Sequence, residues 1–267
     1  MHLKVLKYLH FVPNLVAELN QNTTRLDRLS ALLLAVAPRV VMESPTGEQA
    51  NAIWISLLAT PGAAPHGVAI AHGRGAAATE VAVQLHLEGP AALLLMREFA
   101  QPLVLQLAEA DATLCQAVQL LWTEVAAPRC GQPAMLASAG NMLFIGLLRH
   151  LVAHPQAKIG LFAGLGDPRI AKALVAMHEH PHTAWSLESL AERAGMSRTV
   201  FATGFRNAMG TPPGKYLTQL RLLIAQRAVQ SGKGLKGAAR VSGYKDASAL
   251  SRALGRAREQ HLLAQDK

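Results

Sequence analysis

Apolar positions recur in two different rhythms along the 267-residue chain. Between Arg39 and Leu107 they come in short runs, "RVVME", "NAIWISLL", "GVAIAH", "EVAVQLHL" and "PLVLQL", parted by stretches such as "TPGAAPHG" and "HGRGAAA". Short apolar, β-branched runs bounded by Gly and Pro predict strands. "LDRLSALLLAV" ahead of them and "GPAALLLMREFA" between the last two predict short helices. After Asp111 the period changes to 3.6, and "ATLCQAVQLLWTEVA" and "AMLASAGNMLFIGLLRHLVAH" predict two helices that are apolar around much of their circumference. Helices of that kind must be buried, and a second copy of the chain is a natural partner. Residues 1–24 read as an extension, one amphipathic helix ended by Pro13 and a polar "NQNTT" run.

The last hundred residues alternate amphipathic helices with sharp stops. In "GLGDPRIAKALVAMHEHP" Asp167 is placed to cap free N–H groups and Pro168 sits at the first helical position, with Ile170, Leu174 and Met177 as the buried stripe. In "WSLESLAERAGMSRTVFATGFRNAMG" Ser186 opens a helix whose apolar positions are Leu187, Leu190, Ala191 and Ala194, and Gly195 closes it. Ser197 caps the next helix, where Phe201 and Phe205 fall on the inner face and Thr199, Ala202, Thr203 and Arg206 on the outer one. "GTPPGKYLTQLRLLIAQRAV" then predicts a rod that starts at Thr211 and Pro212, with Leu217, Leu220, Ile224 and Ala228 along one stripe. "LKGAARVSGYKDASALSRALGR" repeats the first unit in outline: Ala239 and Gly243 match Ala191 and Gly195, and Leu250 and Leu254 stand for Phe201 and Phe205. Asp246 is the cap of the last helix.

Charge sharpens this division. Residues 1–167 carry 10 Lys/Arg against 11 Asp/Glu, whereas residues 168–267 carry 16 against 6, so the whole of the net +9 lies in the helical part. A folded, strongly basic segment implies a polyanionic partner. A helix that presents threonines and an arginine has the chemistry to enter a major groove, because arginine pairs with guanine O6/N7 and threonine with base edges or a thymine methyl. Two such units on a rod approaching one DNA turn in length could address successive major grooves on one face of the duplex. An ordinary helical hairpin in a core is the plainer alternative for "AGMSRTVFATGFR" taken alone.

Residues 166–256 resemble the DNA-binding domain of AraC/XylS-type bacterial transcription regulators, through "LAERAGMSRTVFATGFR", "GTPPGKYL" and "RLLIA" in order. The region from Leu26 to His154 resembles the cupin-type sensor domain of one branch of that family, through "LDRLSALL", "PHGVAIAHGRG" and the "DPRIAKALVAMH" helix beyond it. The resemblance implies an α+β chain with a small β-rich cupin-like N-terminal domain and an all-α C-terminal domain of two helix-turn-helix units joined by a linker helix. The boundaries expected are 1–24 for the extension, 25–110 for the sensor, 111–165 for a helical linker or dimerisation segment and 166–267 for the DNA-binding domain. Expected DNA contacts are Arg198, Thr199, Ala202, Thr203, Arg206, Lys215 and Lys245, with Arg206 and Arg252 on bases. By the same resemblance Ala247, Ser248, Ser251 and Arg252 form the outward face of the second recognition helix. That unit is eroded: family members carry phenylalanines where Leu250 and Leu254 stand, and Arg258 and Glu259 occupy a closing Phe-Gly.

Other chemistry is sparse. His66, His72 and His86 lack the HxH spacing of cupin metal sites, and "HEHPH" at 178–182 reads as a loop, so no metal and no cofactor are expected. Cys115 and Cys130 are too few for a disulfide framework, which fits a reducing cytoplasm; Cys130, beside Arg129, is the candidate redox residue and Cys115 a core one. The N-terminus does not read as a secretory leader, and no apolar run reaches the eighteen or so residues of a membrane span. The expected partners are therefore double-stranded promoter DNA, a second copy of the chain, and a small-molecule or redox effector. Two rival functions remain open: a dimerising partner with degraded DNA reading, and a metal-dependent cupin enzyme.

Overall fold

The computed structural model describes residues 27–41, 52–72, 81–89 and 91–265. The N-terminal extension lies outside them. Helix α1 (Arg28–Val36) begins where the Asp27 carboxylate accepts from the Leu29 and Ser30 amides, and leads into strand β1 (Pro38–Val41). Strands β2 (Ala52–Leu58), β3 (Gly67–His72), β4 (Ala82–Leu87) and β5 (Leu103–Gln106) follow, with helix α2 (Ala92–Glu98) between the last two. They pair antiparallel in the order β1-β4-β2-β3-β5.

Alternation along each strand gives the sheet two unlike faces. Register places Ile53 between Leu85 and His72, Ile55 between Ile70 and Val83, and Leu57 beside Val68, so one face is branched aliphatic except where the exposed His72 stands at the end of β3. The other carries Trp54 between Ala71 and Gln84, and Ser56 between Ala69 and Ala82. Trp54, Ser56 and Gln84 are buried, so this second face is covered although it is lined by small and polar side chains.

Helices α3 (Ala112–Ala126) and α4 (Gln132–Ala153) pack on each other, and α4 lies against β1. The apolar sequence around α4 is explained by this: Leu143, Phe144, Leu147, Leu148 and Leu151 join the aliphatic face of the sheet in one core. Among the described residues α4 is the helix long and apolar enough to cross a membrane, and 61% of its most apolar stretch is buried inside the fold.

The same core continues into the basic part, through α5 (Leu161–Gly166), α6 (Pro168–Glu179), α7 (Leu187–Ala194), α8 (Arg198–Met209) and the first half of α9 (Pro213–Gln230). The sequence pattern does not predict helix α5, because six residues with two glycines show no period. This short helix nevertheless packs against α2, α4, α6 and α8, and so ties the β-rich part to the helical one. Helices α10 (Leu235–Ser242) and α11 (Ala247–Gln265) close on the far end of α9 around a second, smaller cluster of Ala225, Ala228, Ala238, Ala239 and Leu250.

Candidate nucleic-acid interface

The first helix-turn-helix is built by local hydrogen bonds that its sequence dictates. Asp167 accepts from the Arg169 and Ile170 amides and starts α6 with Pro168 in its first turn. Ser186 and Ser189 cap each other reciprocally at the start of α7, each hydroxyl accepting from the other's amide at 3.0 Å. Gly195 ends α7 at φ +65, a conformation open to glycine without a Cβ clash, and its neighbour Met196 donates back to Ala191. Ser197 then accepts from Val200 and α8 begins.

Inside, Phe201 and Phe205 are fully buried, their rings 5.6 Å apart, and Phe205 meets Tyr216 edge-on at 5.8 Å. Leu190, Ala191 and Ala194 are buried with them, whereas Leu187, at the very start of α7, is exposed. Tyr216 shares a 2.7 Å hydrogen bond with Nε2 of His178. Burial pushes His178 down to about 4 and raises the Tyr216 hydroxyl, which the carboxylate of Glu98 raises further. Outside, Arg198, Thr199, Thr203 and Arg206 are exposed and Ala202 is half-buried. Val200, which the helical pattern does not single out, is 53% exposed on the same helix.

Rod α9 starts one residue later than expected. Pro212 takes the cap position in extended conformation and Pro213 the first helical one, while the Thr211 hydroxyl is buried without a hydrogen-bond partner and caps nothing. Lys215 is exposed on its first turn, and the predicted stripe of Leu217, Leu220, Ile224 and Ala228 is buried. Eighteen residues make a rod of about 27 Å.

The second unit copies the first with smaller parts. Gly243 has φ +77, Asp246 accepts from the Ala249 amide at 2.7 Å, and Leu250 is fully buried while Leu254 is half-buried. Lys245, Ser248, Ser251 and Arg252 are exposed and Ala247 is half-buried. The "HEHPH" stretch is only partly the loop its sequence suggests: His178 and Glu179 complete α6, and the loop at 180–183 fixes this unit to the first. Arg221 of the rod donates to the Pro181 and Thr183 carbonyls, both at 2.7 Å, and a Cβ on Gly243 would lie 2.7 Å from the His182 Cα. Arg227 turns the other way and reaches the Leu87 carbonyl at the end of β4, at 3.3 Å. Two arginines of the basic segment are thus spent on internal carbonyls.

Arg169 pairs with Asp167 and Arg193 lies over the Trp185 ring, whereas the cations expected to meet DNA are exposed. Among the described residues the ion pairs are Arg39–Glu88, Arg129–Glu124 and Arg169–Asp167, so Arg198, Arg206, Lys215, Lys245 and Arg252 have no carboxylate partner there. Cys130 is exposed, and the adjacent Arg129 guanidinium is held by the buried Glu124 carboxylate. His66 and His72 are exposed and His86 half-buried; among the described residues no three His, Cys, Asp or Glu side chains gather as a metal site would need.

The chain has recognisable relatives over these same regions. A family model described as cupin matches residues 13–153, and one described as helix-turn-helix domain matches residues 190–260. A Streptomyces lividans protein named as an AraC-like transcription regulator is 38% identical over 117 residues, 43% of this chain and 38% of that one. The HTH-type transcriptional regulator AlkR of Acinetobacter baylyi is 33% identical over 121 residues, 45% of this chain and 40% of that one. The RCS-specific HTH-type transcriptional activator RclR of Escherichia coli is 35% identical over 112 residues, 42% of this chain and 39% of that one. The chain therefore covers about two-fifths of the length of these relatives. Among solved structures, the DNA-binding domain of AdpA in complex with a target DNA is 34% identical, covering 34% of this chain and 81% of that one, with a TM-score of 0.32.

Proposed function

The chain belongs to the AraC-type family in which a cupin domain precedes a helix-turn-helix domain, and from that premise we propose that it is a transcription regulator that binds promoter DNA sequence-specifically and answers a signal through its N-terminal unit. The observation that carries this reading is the outer face of α8, where Thr199, Thr203 and Arg206 are exposed, Arg206 without a carboxylate partner, on the side opposite the buried Phe201 and Phe205. Arg206 reads guanine, Thr199 and Thr203 read base edges, and Ala202 and Val200 meet thymine methyls. Arg198, Lys215 and Lys245 hold phosphates, which positions the helix without specifying sequence. In the second unit Ala247, Ser248, Ser251 and Arg252 face the neighbouring groove, with Arg252 on a base.

The signal is received on the second face of the sheet, around Trp54, Ser56 and Gln84, where an apolar ring and two polar groups suit a small molecule; the alternative signal is an oxidant acting at Cys130. Two copies associate through the exposed side of α4, where Met135 and Met142 are each 43% exposed. The protein acts in the cytoplasm, catalyses nothing and holds no cofactor.

Equilibrium binding to a selected duplex and to random duplexes over a salt series tests the reading. The expected result is preference for the selected duplex and affinity that falls steeply with salt, as phosphate contacts release counterions. Absence of binding at low salt would refute it. The small alanine core of the second unit favours one further reading, a dimerising partner with degraded DNA reading; its signature is a stable dimer that binds all duplexes equally.

A further inference from the structure

We propose that Glu98, in the N-terminal unit, is a positioning residue for the recognition helix: it holds the start of α5, and α5 holds the last turn of α8. The inference rests on the assignment of α8 as the DNA-reading helix. Glu98 stands at the end of α2, and its Oε1 accepts from the Leu161 amide at 2.9 Å, across 63 residues of chain. The backbone there is pressed against the carboxylate. A Cβ on Gly160 would lie 2.7 Å from Glu98 Oε2, and Gly160 itself has φ +141, a conformation side chains rarely adopt.

The other side of the same short segment grips α8. The Gly160 amide donates to the Ala208 carbonyl at 2.9 Å, one of the end carbonyls that the helix cannot satisfy internally. A Cβ on Gly164 would lie 2.2 Å from the Met209 sulfur, and one on Gly210 would lie 2.8 Å from Ile159 Cγ2. Residues 159–164 are thus clasped between a carboxylate of the N-terminal unit and residues 208–210 of the reading helix. Burial holds the Glu98 carboxyl above its ordinary range and the Leu161 amide pulls it back, as expected for a half-buried anion committed to one donor. A change in the sheet that moves α2 therefore moves the end of α8, where Arg206 stands.

Hydrogen–deuterium exchange on the free 267-residue chain tests this for wild type, Glu98→Ala, Glu98→Gln and Glu98→Asp. Glu98→Ala removes the acceptor, and exchange rises about tenfold in 159–166 and in 206–211 while α7 and β2 stay protected. Glu98→Gln keeps an amide oxygen in place and remains near wild type. Glu98→Asp keeps the charge but falls short of Leu161, so it gives the Ala pattern in weaker form even if Glu98→Ala does not fold. Exchange that rises in 159–166 but not in 206–211 overturns the proposal, and so does a Gln variant as loose as the truncated ones. A parallel binding arm expects Glu98→Ala to lose about three- to tenfold of the preference for the selected duplex, with Glu98→Gln unchanged. If wild type binds no duplex, the DNA-reading assignment fails, and the exchange data alone decide the link from Glu98 to α8.

Discussion

His178 makes the helical half sensitive to acid in a way that can be isolated. Its ring is buried beside Tyr216 and titrates near 4, whereas in the unfolded chain it titrates near 6.5. Above 6.5 neither state carries the proton, so His178 contributes no pH dependence. Below 6.5 the unfolded chain takes up a proton that the native state refuses, and native stability falls at about 1.4 kcal/mol per pH unit until the folded value is reached. The full difference is about 3 kcal/mol, of which about 2 kcal/mol is lost between pH 6.5 and pH 5. Other groups add to the acid response: burial raises the Glu98 carboxyl and lowers the His150 imidazole. Urea unfolding of wild type and of His178→Gln at pH 7.5, 6.5, 5.8 and 5.0 cancels these shared contributions. The variant starts less stable or equal, and the wild type loses about 2 kcal/mol more than the variant over the acid range. A difference independent of pH, or one that grows in favour of wild type toward acid, would refute the assignment of a neutral buried imidazole.

Three further outcomes are expected. Gly195→Ala meets no atom within 4 Å and costs only the left-handed conformation, about 1–2 kcal/mol, while Gly243→Ala adds the approach to His182 and destabilises the second unit by more, as urea unfolding of the two variants will report. Arg221→Met removes both bonds to the 180–183 loop and loosens α10 and α11 relative to α7, measured as increased proteolysis or exchange in 235–256 with 187–209 unchanged. Lys215→Ala weakens all duplexes about equally and lowers the slope of log affinity against log salt by about 1; a change in sequence preference would argue against a phosphate contact.

Much of this architecture is legible along the chain because its signals are local. Asp167 with Pro168, Ser186, Gly195, Ser197 and Asp246 each act within four residues, and the structure places all of them at helix ends as the sequence predicts. The strands likewise announce themselves by their own apolar runs. What the sequence hides is carried by single polar side chains that bond backbone far away. Glu98 to Leu161, Arg221 to Pro181 and Arg227 to Leu87 have no periodicity, and each residue taken alone reads as a solvated surface charge. Thr211 misleads for a related reason: Thr-Pro is a fair helix start, but the second proline of the pair claims the first helical position. The one core shared by the sheet and the first helix-turn-helix is also invisible in the sequence, since the apolar faces of α5 and α6 are too short to declare which neighbour they serve.

If the outer face of α8 reads bases, duplex selection from a random pool by wild type and by Arg206→Ala will show it. Wild type is expected to enrich a defined motif, and Arg206→Ala the same motif with one position relaxed, at a cost of about 1–3 kcal/mol in discrimination there. Enrichment of one unaltered motif by both proteins, or of none by wild type, would contradict it.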